Sequence, residues 1–214
     1  MIRTLPRTLL VVLATAASLN ATVSAQPAEP ARAGEPPMEA LTAQDREVLA
    51  AAQELATELS QAIDKWITTK AITAERVFAR LYFPITEPRS DPQKYTTPYT
   101  ELADRDLVDP EDKTLARSRA FLYAILTDSN GYVPVHNKRF AQPLTGNAAQ
   151  DYLTNRTKRL LGDTASLVAA RSELPYLLQH ARLETGDAIY DLSVPVIVRG
   201  KRWGCVRIGY RRSE

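Results

Sequence analysis

The C-terminal part of the sequence constrains the fold most, because residues 191–210 have the pattern of two antiparallel strands joined by a tight turn. Hydrophobic and polar residues alternate on both sides of Arg199-Gly200-Lys201, and a period of two places them on opposite faces of a sheet. The predicted apolar face consists of Leu192, Val194, Val196, Val198, Val206, Ile208 and Tyr210. This face of the hairpin needs a hydrophobic partner.

The other face of the predicted hairpin mixes polar and aromatic groups. It carries Asp191, Ser193, Ile197, Trp203, Cys205, Arg207 and Gly209. A few polar groups among apolar ones are typical of small-molecule pockets, so Asp191, Trp203 and Arg207 are candidate ligand-binding residues. The alternative is an ordinary solvated face with one chance tryptophan, since antiparallel sheets commonly face water on one side.

A long amphipathic helix is predicted over residues 41–69. Its apolar residues recur at steps of three and four, and they are Val48, Ala52, Leu55, Leu59, Ile63 and Trp66. Thr42 followed three residues later by Asp45 is a plausible capping start. A shorter helix is predicted over residues 74–79, and prolines then interrupt regular structure across residues 81–100.

The middle of the chain alternates between predicted strands and short helices. The predicted elements are a helix beginning near Pro110, strands at 121–127 and 132–135 joined by a turn at 128–131, a helix at 147–161, and strands at 176–183 and 188–198. A long helix followed by an antiparallel meander with inserted helices is an α+β arrangement.

Two strings carry a resemblance to a known family. They are TDSNGYVPVHNKRFAQPLTG at residues 127–146 and DLSVPVIVRGKRWGCVRIGY at residues 191–210. Together they resemble the extracytoplasmic sensing region of bacterial methyl-accepting chemotaxis proteins. The resemblance implies a single Cache or PAS-like sensor domain over residues 38–214, in which a long N-terminal helix packs on an antiparallel sheet of about five strands and a small molecule is bound.

The N-terminus has the features of a cleavable secretory signal. Basic residues open the chain, residues 9–19 are apolar, and Ala25 ends a small-residue cleavage pattern. An uncleaved membrane anchor is the alternative, but this apolar stretch is much shorter than the roughly 20 residues that a bilayer core requires. We therefore expect a signal peptide at residues 1–25, a disordered Pro/Ala-rich leader at 26–37 and a periplasmic location.

Charge and cysteine content narrow the possible partners. The chain has 27 Lys and Arg against 25 Asp and Glu, and removal of the signal peptide with Arg3 and Arg7 leaves 25 against 25. A neutral protein is a poor partner for polyanions, so nucleic acid is not expected to bind.

Cys205 is the only cysteine, which excludes an internal disulfide. We also expect no membrane span in the mature chain, because charges interrupt every later apolar run.

Hydrogen-bond donors are concentrated in residues 135–159. The candidate ligand-binding residues there are His136, Asn137, Arg156 and Arg159. Arginine offers a planar fork that binds a carboxylate or phosphate through two hydrogen bonds, although two arginines on a solvated helix face are the alternative. The resemblance adds Arg119 and Tyr123, which lie at the entry of a strand where Cache-type domains often present ligand-facing residues; a surface position is the alternative for Arg119.

The sequence lacks the common catalytic and metal-binding motifs. His136 and His180 do not form HExxH, and Cys205 has no second cysteine for CxxC or for the haem-attachment motif CxxCH. We therefore predict no enzymatic activity, no metal and no cofactor.

The sequence and the resemblance together predict an exported sensor domain that binds a small metabolite. Only residues 211–214 follow the predicted last strand, so we expect a stand-alone domain that signals through a separate membrane protein. The alternative is a protein-interaction module without a ligand, in which the apolar stripe Leu55, Leu59, Ile63 and Trp66 forms a homodimer or docks a partner.

Overall fold

The computed structural model describes residues 41–183 and 185–212, and the predicted signal peptide and leader lie outside this range. The helices are α1 (Ala43–Thr68), α2 (Ala74–Phe78), α3 (Thr100–Asp106), α4 (Val108–Leu115), α5 (Ala148–Thr154) and α6 (Thr164–Arg171), with a 3-10 turn at Lys138–Phe140. The strands are β1 (Phe83–Pro84), β2 (Tyr95–Thr96), β3 (Phe121–Asp128), β4 (Tyr132–Val133), β5 (Arg159–Leu160), β6 (Leu177–Arg182), β7 (Ala188–Val198) and β8 (Lys201–Tyr210).

The predicted α+β class is confirmed. The long helix and the antiparallel sheet are consistent with a PAS/Cache-like fold, and the main sheet has four strands.

The main sheet has the strand order β3-β8-β7-β6, and every neighbouring pair is antiparallel. The predicted hairpin forms the centre of this sheet. Its turn residues Arg199 and Gly200 both have positive φ, 50° and 73°, as the tightest hairpin turns require. Leu192 lies opposite Ile208, so the predicted apolar faces of β7 and β8 are aligned.

Helix α1 covers this apolar face. It begins with the predicted capping box, in which the Asp45 N–H donates to the Thr42 hydroxyl (3.1 Å) and the Thr42 N–H donates to the Asp45 carboxylate (2.7 Å). The stripe that packs against the sheet is buried and includes Val48, Leu55, Leu59, Ile63 and Trp66. Each large apolar side chain buried in this way contributes about 1.5–3 kcal/mol, so α1 and the hairpin together form the main core.

The outer face of α1 carries exposed polar residues such as Gln53, Glu54 and Glu58. Among the helices in the described part of the chain, none combines the length and the apolar character that a bilayer crossing needs.

Trp203 lies on the apolar side of the sheet, whereas strict alternation predicts it on the polar side. The register of β7 and β8 shifts between Val196 and Ile197, and Trp203 is the β8 residue left without an opposite residue. An extra residue of this kind is a β-bulge, and it reverses the alternation beyond it. The indole therefore joins the main core.

Two side chains accept hydrogen bonds from backbone N–H groups on the outer edge of β3. The Ala124 N–H donates to Asn137 Oδ1 (2.9 Å), and the Leu126 N–H donates to Glu111 Oε1 (2.8 Å). Glu111 is fully buried, and burial raises the pKa of its carboxyl well above the usual range. Occupied N–H groups on an edge strand prevent the addition of a further strand.

Residues 132–135 do not form the predicted hairpin with β3. Strand β4 pairs with β5 instead, and β3 pairs with β8. The reason is local, because the buried Asp128 carboxylate accepts hydrogen bonds from the N–H groups of Asn130 (2.8 Å) and Tyr132 (2.9 Å). These bonds turn the chain away from the main sheet directly after β3.

The helix predicted over residues 147–161 is also shorter, since α5 ends at Thr154 and the chain continues in an extended form. Lys94 holds this extension: its buried Nζ donates to Asn155 Oδ1 (2.7 Å) and to the Thr157 carbonyl (2.5 Å). Arg156 and Arg159 therefore lie beyond the helix and not on one of its faces. Helices α3 and α6 form where the sequence analysis predicts no helix.

Asp45 joins the start of α1 to the end of β8. Besides its capping bond, its carboxylate accepts hydrogen bonds from the Tyr210 hydroxyl (2.6 Å) and from Arg212 Nη2 (2.8 Å). Burial alone would raise the pKa of Asp45, but the bonds from Arg212, Tyr210 and Thr42 outweigh it and lower the pKa to about 2. The ionised carboxylate therefore stabilises the folded state.

Asp45→Asn is expected to reduce the free energy of unfolding by about 2 kcal/mol at neutral pH, because a pKa difference of nearly two units corresponds to that energy. The folded-state pKa lies below the reference value of 3.8, so this stabilisation is present above that pH and is lost as the pH falls through 2. Urea unfolding of both proteins from pH 7 to pH 2 measures the difference.

The matched control is Glu47→Gln, which changes an exposed acid in the same part of α1 and should leave stability close to that of the wild type. A loss caused by Asp45→Asn that is equally large at pH 7 and pH 2 would contradict the assignment, because the effect would then not depend on the ionised carboxylate.

Candidate ligand-binding site

A cavity of about 120 Å³ lies on the face of the sheet opposite α1. It is closed by the segment 133–136, by residues 156–161 and by the start of α6. Its lining residues are Tyr123, Ile125, Val133, His136, Arg156, Arg159, Leu161, Asp163, Ala165, Ser166, Ala181, Arg182, Leu183 and Arg207. Apolar and charged side chains thus share one concave site, which is the usual composition of a small-molecule pocket.

A buried ion pair forms the floor of the cavity. Arg207 Nη2 donates to Asp191 Oδ2 (2.7 Å), Arg207 Nε donates to the same oxygen (3.1 Å), and the Tyr123 hydroxyl also donates to it. On its other side Arg207 Nη1 donates to the Ser166 hydroxyl (2.7 Å). Four side chains from three strands and one helix are therefore held in a single network.

The strand register places these groups beside one another. Arg207 on β8 lies between Ile125 on β3 and Ser193 on β7, and Gly209 lies opposite both Tyr123 and Asp191. A Cβ atom at position 209 would lie 2.3 Å from Tyr123 Cε1, so only glycine allows the tyrosine ring to cross β8 and reach Asp191.

The opposite charges of Arg207 and Asp191 compensate each other at the floor of the cavity. Burial by itself would lower the pKa of Arg207, but the adjacent Asp191 carboxylate raises it above the usual range. Burial and the same carboxylate raise the pKa of the Tyr123 hydroxyl well above its usual range. Arg207 therefore stays charged and Tyr123 stays protonated at every physiological pH.

His136 forms part of the wall and is almost completely buried. Its ring lies edge-on to Tyr123 and Phe140, with centroid separations of 6.5 and 5.0 Å. Burial, followed by the positive charges of Arg156 and Arg139, lowers its pKa well below the usual range, so the imidazole is neutral. Its Nδ1 is buried and finds no hydrogen-bond partner within the described residues.

Arg156 and Arg159 also line the cavity, and together with His136 they form its basic wall. Arg159 is buried, and its two terminal nitrogens donate to the carbonyls of Tyr152 and Asp151 (both 3.0 Å). The guanidinium of Arg156 lies over the Phe140 ring, 4.4 Å from its centroid. Both positions depend on the extended segment that begins at residue 155.

Lys94 anchors that segment from the proline-rich part of the chain. In addition to the two bonds described above, its Nζ donates to the Asn155 carbonyl (3.2 Å). Burial and the charges of Arg159 and Lys158 lower the pKa of Lys94 to about 7. The proline-rich segment that contains Lys94 has only short strands, yet it determines where the basic wall lies.

Helix α6 closes the cavity from above. Asp163 caps its first turn by accepting a hydrogen bond from the Ser166 N–H (2.9 Å), and Gln179 on β6 donates to the Ala165 carbonyl (2.8 Å). The sequence analysis did not select Asp163 or Ser166. An aspartate three residues before a serine at the start of an alanine-rich run is the N-cap signal that identifies this helix.

The structure brings together six of the nine residues predicted from the sequence. Tyr123, His136, Arg156, Arg159 and Arg207 line the cavity, and Asp191 lies directly beneath it.

The remaining three predicted residues lie elsewhere. Asn137 caps the edge of β3 through its side-chain oxygen. Trp203 is buried in the main core, where its Nε1 donates to the Val77 carbonyl (3.1 Å) and its ring contacts Tyr99. Arg119 is exposed in the loop before β3 and does not line the cavity.

Neither metal binding nor thiol chemistry has a site in the described part of the chain. No group of three or more His, Cys, Asp or Glu residues is arranged there to hold a metal ion. Cys205 is buried against Ala169 and Ala170, and burial raises the pKa of its thiol to about 11. The thiol is therefore protonated and inaccessible.

Comparison with known proteins finds a weak likeness to solved structures. No protein-family model and no curated protein matches the chain. Among solved structures, 80% of the chain aligns with an extracellular ligand binding receptor from Desulfohalobium retbaense DSM5692, with a TM-score of 0.37 and 14% sequence identity. The aligned part spans 26% of that receptor chain.

Asp191→Asn is expected to reduce the free energy of unfolding by about 3–5 kcal/mol, because it leaves the buried Arg207 charge without its counter-ion. The control is Asp187→Asn, which removes the partner of exposed Arg211 and should cause a much smaller loss. Urea unfolding at neutral pH measures both. The double variant Asp191→Leu with Arg207→Met should recover much of the loss, because it removes both charges.

Equal losses for Asp191→Asn and Asp187→Asn would contradict this account of the floor. A double variant that is less stable than Asp191→Asn would also contradict it, because replacing both charged side chains by apolar ones leaves no unpaired charge in the sheet.

Proposed function

We propose that this domain is a sensor that binds a small metabolite in the cavity between the sheet and α6. The observation that supports this most is the basic wall, because Arg159 and His136 are buried beside an open space that the main core beneath α1 does not fill. Burying charged and polar groups is costly, and proteins accept that cost mainly where the groups serve binding or catalysis.

We further propose that the domain acts outside the cytoplasm as a chemoreceptor-type sensing region and signals through a separate membrane protein. The resemblance of residues 127–146 and 191–210 to the sensing regions of chemotaxis receptors supports this role. Ligand occupancy must be coupled to a two-state element that crosses the membrane if it is to act in the cytoplasm. A partner protein would supply that element.

The alternative function, a ligand-free interaction module, has less support. Its proposed contact surface was the stripe Leu55, Leu59, Ile63 and Trp66, and these side chains are buried against the sheet of the same chain. A dimer through α1 would therefore have to use the polar outer face of the helix.

A thermal-shift screen tests ligand binding by the purified protein. The panel contains organic acids, amino acids, amines, nucleobases and haem. A compound present at 100 times its dissociation constant should stabilise the protein by about 2.7 kcal/mol, which raises the melting temperature by several degrees. Ala181→Phe, which fills the cavity, should abolish the shift.

The matched control for this screen is Ala188→Phe. Ala188 is an exposed alanine on the neighbouring strand and does not line the cavity, so this variant should respond like the wild type. The proposal is wrong if no compound shifts the melting temperature of the folded protein. It is also wrong if Ala181→Phe keeps a full response.

Export is tested separately by expressing the full chain in a Gram-negative host and fractionating the cells. Intact mass measurement should find the protein in the periplasmic fraction with Gln26 as its first residue, because cleavage is predicted after Ala25. A protein that keeps residues 1–25 and remains with the cytoplasm or the membrane would contradict this part of the proposal.

A further inference from the structure

We infer that Lys94 is the proton-sensitive part of a hinge: the segment 155–161 stays closed on Lys94 while its amine is neutral, and the segment opens more often when the amine is protonated. The hinge lies at the base of the loop 141–154 and carries the basic wall of the cavity. The movement belongs to the chain itself, beyond the proposed ligand binding, and it can be measured without a ligand.

Among the described residues, no carboxylate accepts a hydrogen bond from the buried amine of Lys94. The residue is only 5% exposed, and its Nζ donates to Asn155 Oδ1, to the Asn155 carbonyl and to the Thr157 carbonyl. All three acceptors are neutral oxygens. Removing an ammonium group from water is costly when no opposite charge compensates it, whereas a neutral amine costs much less and still donates two hydrogen bonds.

The charges that face Lys94 add to this cost. Arg159 and Lys158 lie in the segment that Lys94 holds, and both are cations, while the Asp151 carboxylate on α5 opposes their effect. That carboxylate already accepts hydrogen bonds from two backbone N–H groups of the preceding loop. Burial of the amine, followed by the charges of Arg159 and Lys158, lowers the pKa of Lys94 to about 7.

The other charged and titratable groups around this cluster keep their charge near pH 7. His136 is neutral there, because burial lowers its pKa well below the usual range. Asp151 stays ionised, because hydrogen bonds from Thr145 lower its pKa. Asp104 on α3 pairs with Lys158 at 2.6 Å. Within this part of the described structure, Lys94 is therefore the group that changes charge as the pH crosses 7.

Asn155 connects Lys94 to the base of the loop 141–154. Its Oδ1 accepts a hydrogen bond from Lys94 (2.7 Å), and its Nδ2 donates to the Gln142 carbonyl (2.6 Å). Asn155 also forms an isolated antiparallel bridge with Ala141. The contact with Lys94 thus lies at the residue where the loop and the cavity wall meet, and a change at Lys94 affects both.

Protonation of Lys94 favours the open form. An exposed lysine has the ordinary pKa of 10.5, whereas the closed form has a pKa of about 7. The cost of burying the ammonium group is therefore fully present below pH 7 and is relieved as the pH rises from 7 to 10.5. The open form is consequently more populated at pH 7 than at pH 9.

Amide hydrogen exchange of the purified protein between pH 6 and pH 9 measures the opening. The reporters are the N–H groups of Arg156 and Lys158, which donate to the carbonyls of Phe140 (2.6 Å) and Val133 (2.8 Å). Protection factors correct for the faster intrinsic exchange at high pH. The opening constant should fall at least tenfold from pH 7 to pH 9 and change less than threefold from pH 6 to pH 7. Both reporters should be less protected than the amide of Val206 in the central strand.

Lys94→Met should abolish the fall between pH 7 and pH 9, because it keeps the length of the side chain and removes the amine. The matched control is Lys113→Met, which changes an exposed lysine on α4 and should keep the wild-type dependence. If Lys94→Met does not fold, Asn155→Asp serves as the second variant. Its carboxylate should raise the pKa of Lys94 and at least halve the fall.

Equal protection of Arg156 and Val206 would overturn the hinge, because the segment would then open only when the whole domain unfolds. An opening constant that stays the same or rises towards pH 9 would overturn it as well, and so would a Lys94→Met variant with the wild-type dependence. None of these results bears on the thermal-shift screen, so the hinge and the proposed ligand binding can fail independently.

Discussion

The ion pair between Asp191 and Arg207 is the interaction on which the second face of the sheet depends. Both side chains project from the central strands, where water does not reach them, and each is stable there only because the other neutralises it. The Tyr123 hydroxyl donates a further hydrogen bond to Asp191, and the Ser166 hydroxyl accepts one from Arg207. A polar centre of this kind cannot be covered by an apolar helix like α1, so this face carries a short helix and loops that leave a cavity.

The two faces of the β7–β8 hairpin therefore have different roles. The apolar face supplies most of the hydrophobic stabilisation by packing against α1, while the polar face positions the floor of the candidate site. The same backbone register serves both faces, because successive residues of a strand point in opposite directions. Stability and site geometry are consequently linked, and a slip of one residue in the register would disrupt both.

The sequence predicted the two-faced hairpin, the long helix and its capping box because each depends on residues close together in the chain. Asp191 and Arg207 were selected because the alternation pattern placed them on one face, whereas Tyr123 was selected through the family resemblance. Asp163 and Ser166 were missed because α6 is short and its pattern is weak. Trp203 was misplaced by one bulge, which shifts the alternation without a mark in the local hydropathy pattern.

The sequence by itself determined the α+β class, the apolar pairing of α1 with the hairpin and the presence of basic residues in the segment 135–159. Only the tertiary structure decided that Asn137 caps a strand edge while His136 beside it lines a cavity, and that Lys94 holds Arg156 and Arg159 in position. The physical reason is distance along the chain. Periodic burial is encoded in neighbouring residues, whereas a cavity is formed by side chains from separate segments that meet only when the sheet and its covering loops have assembled.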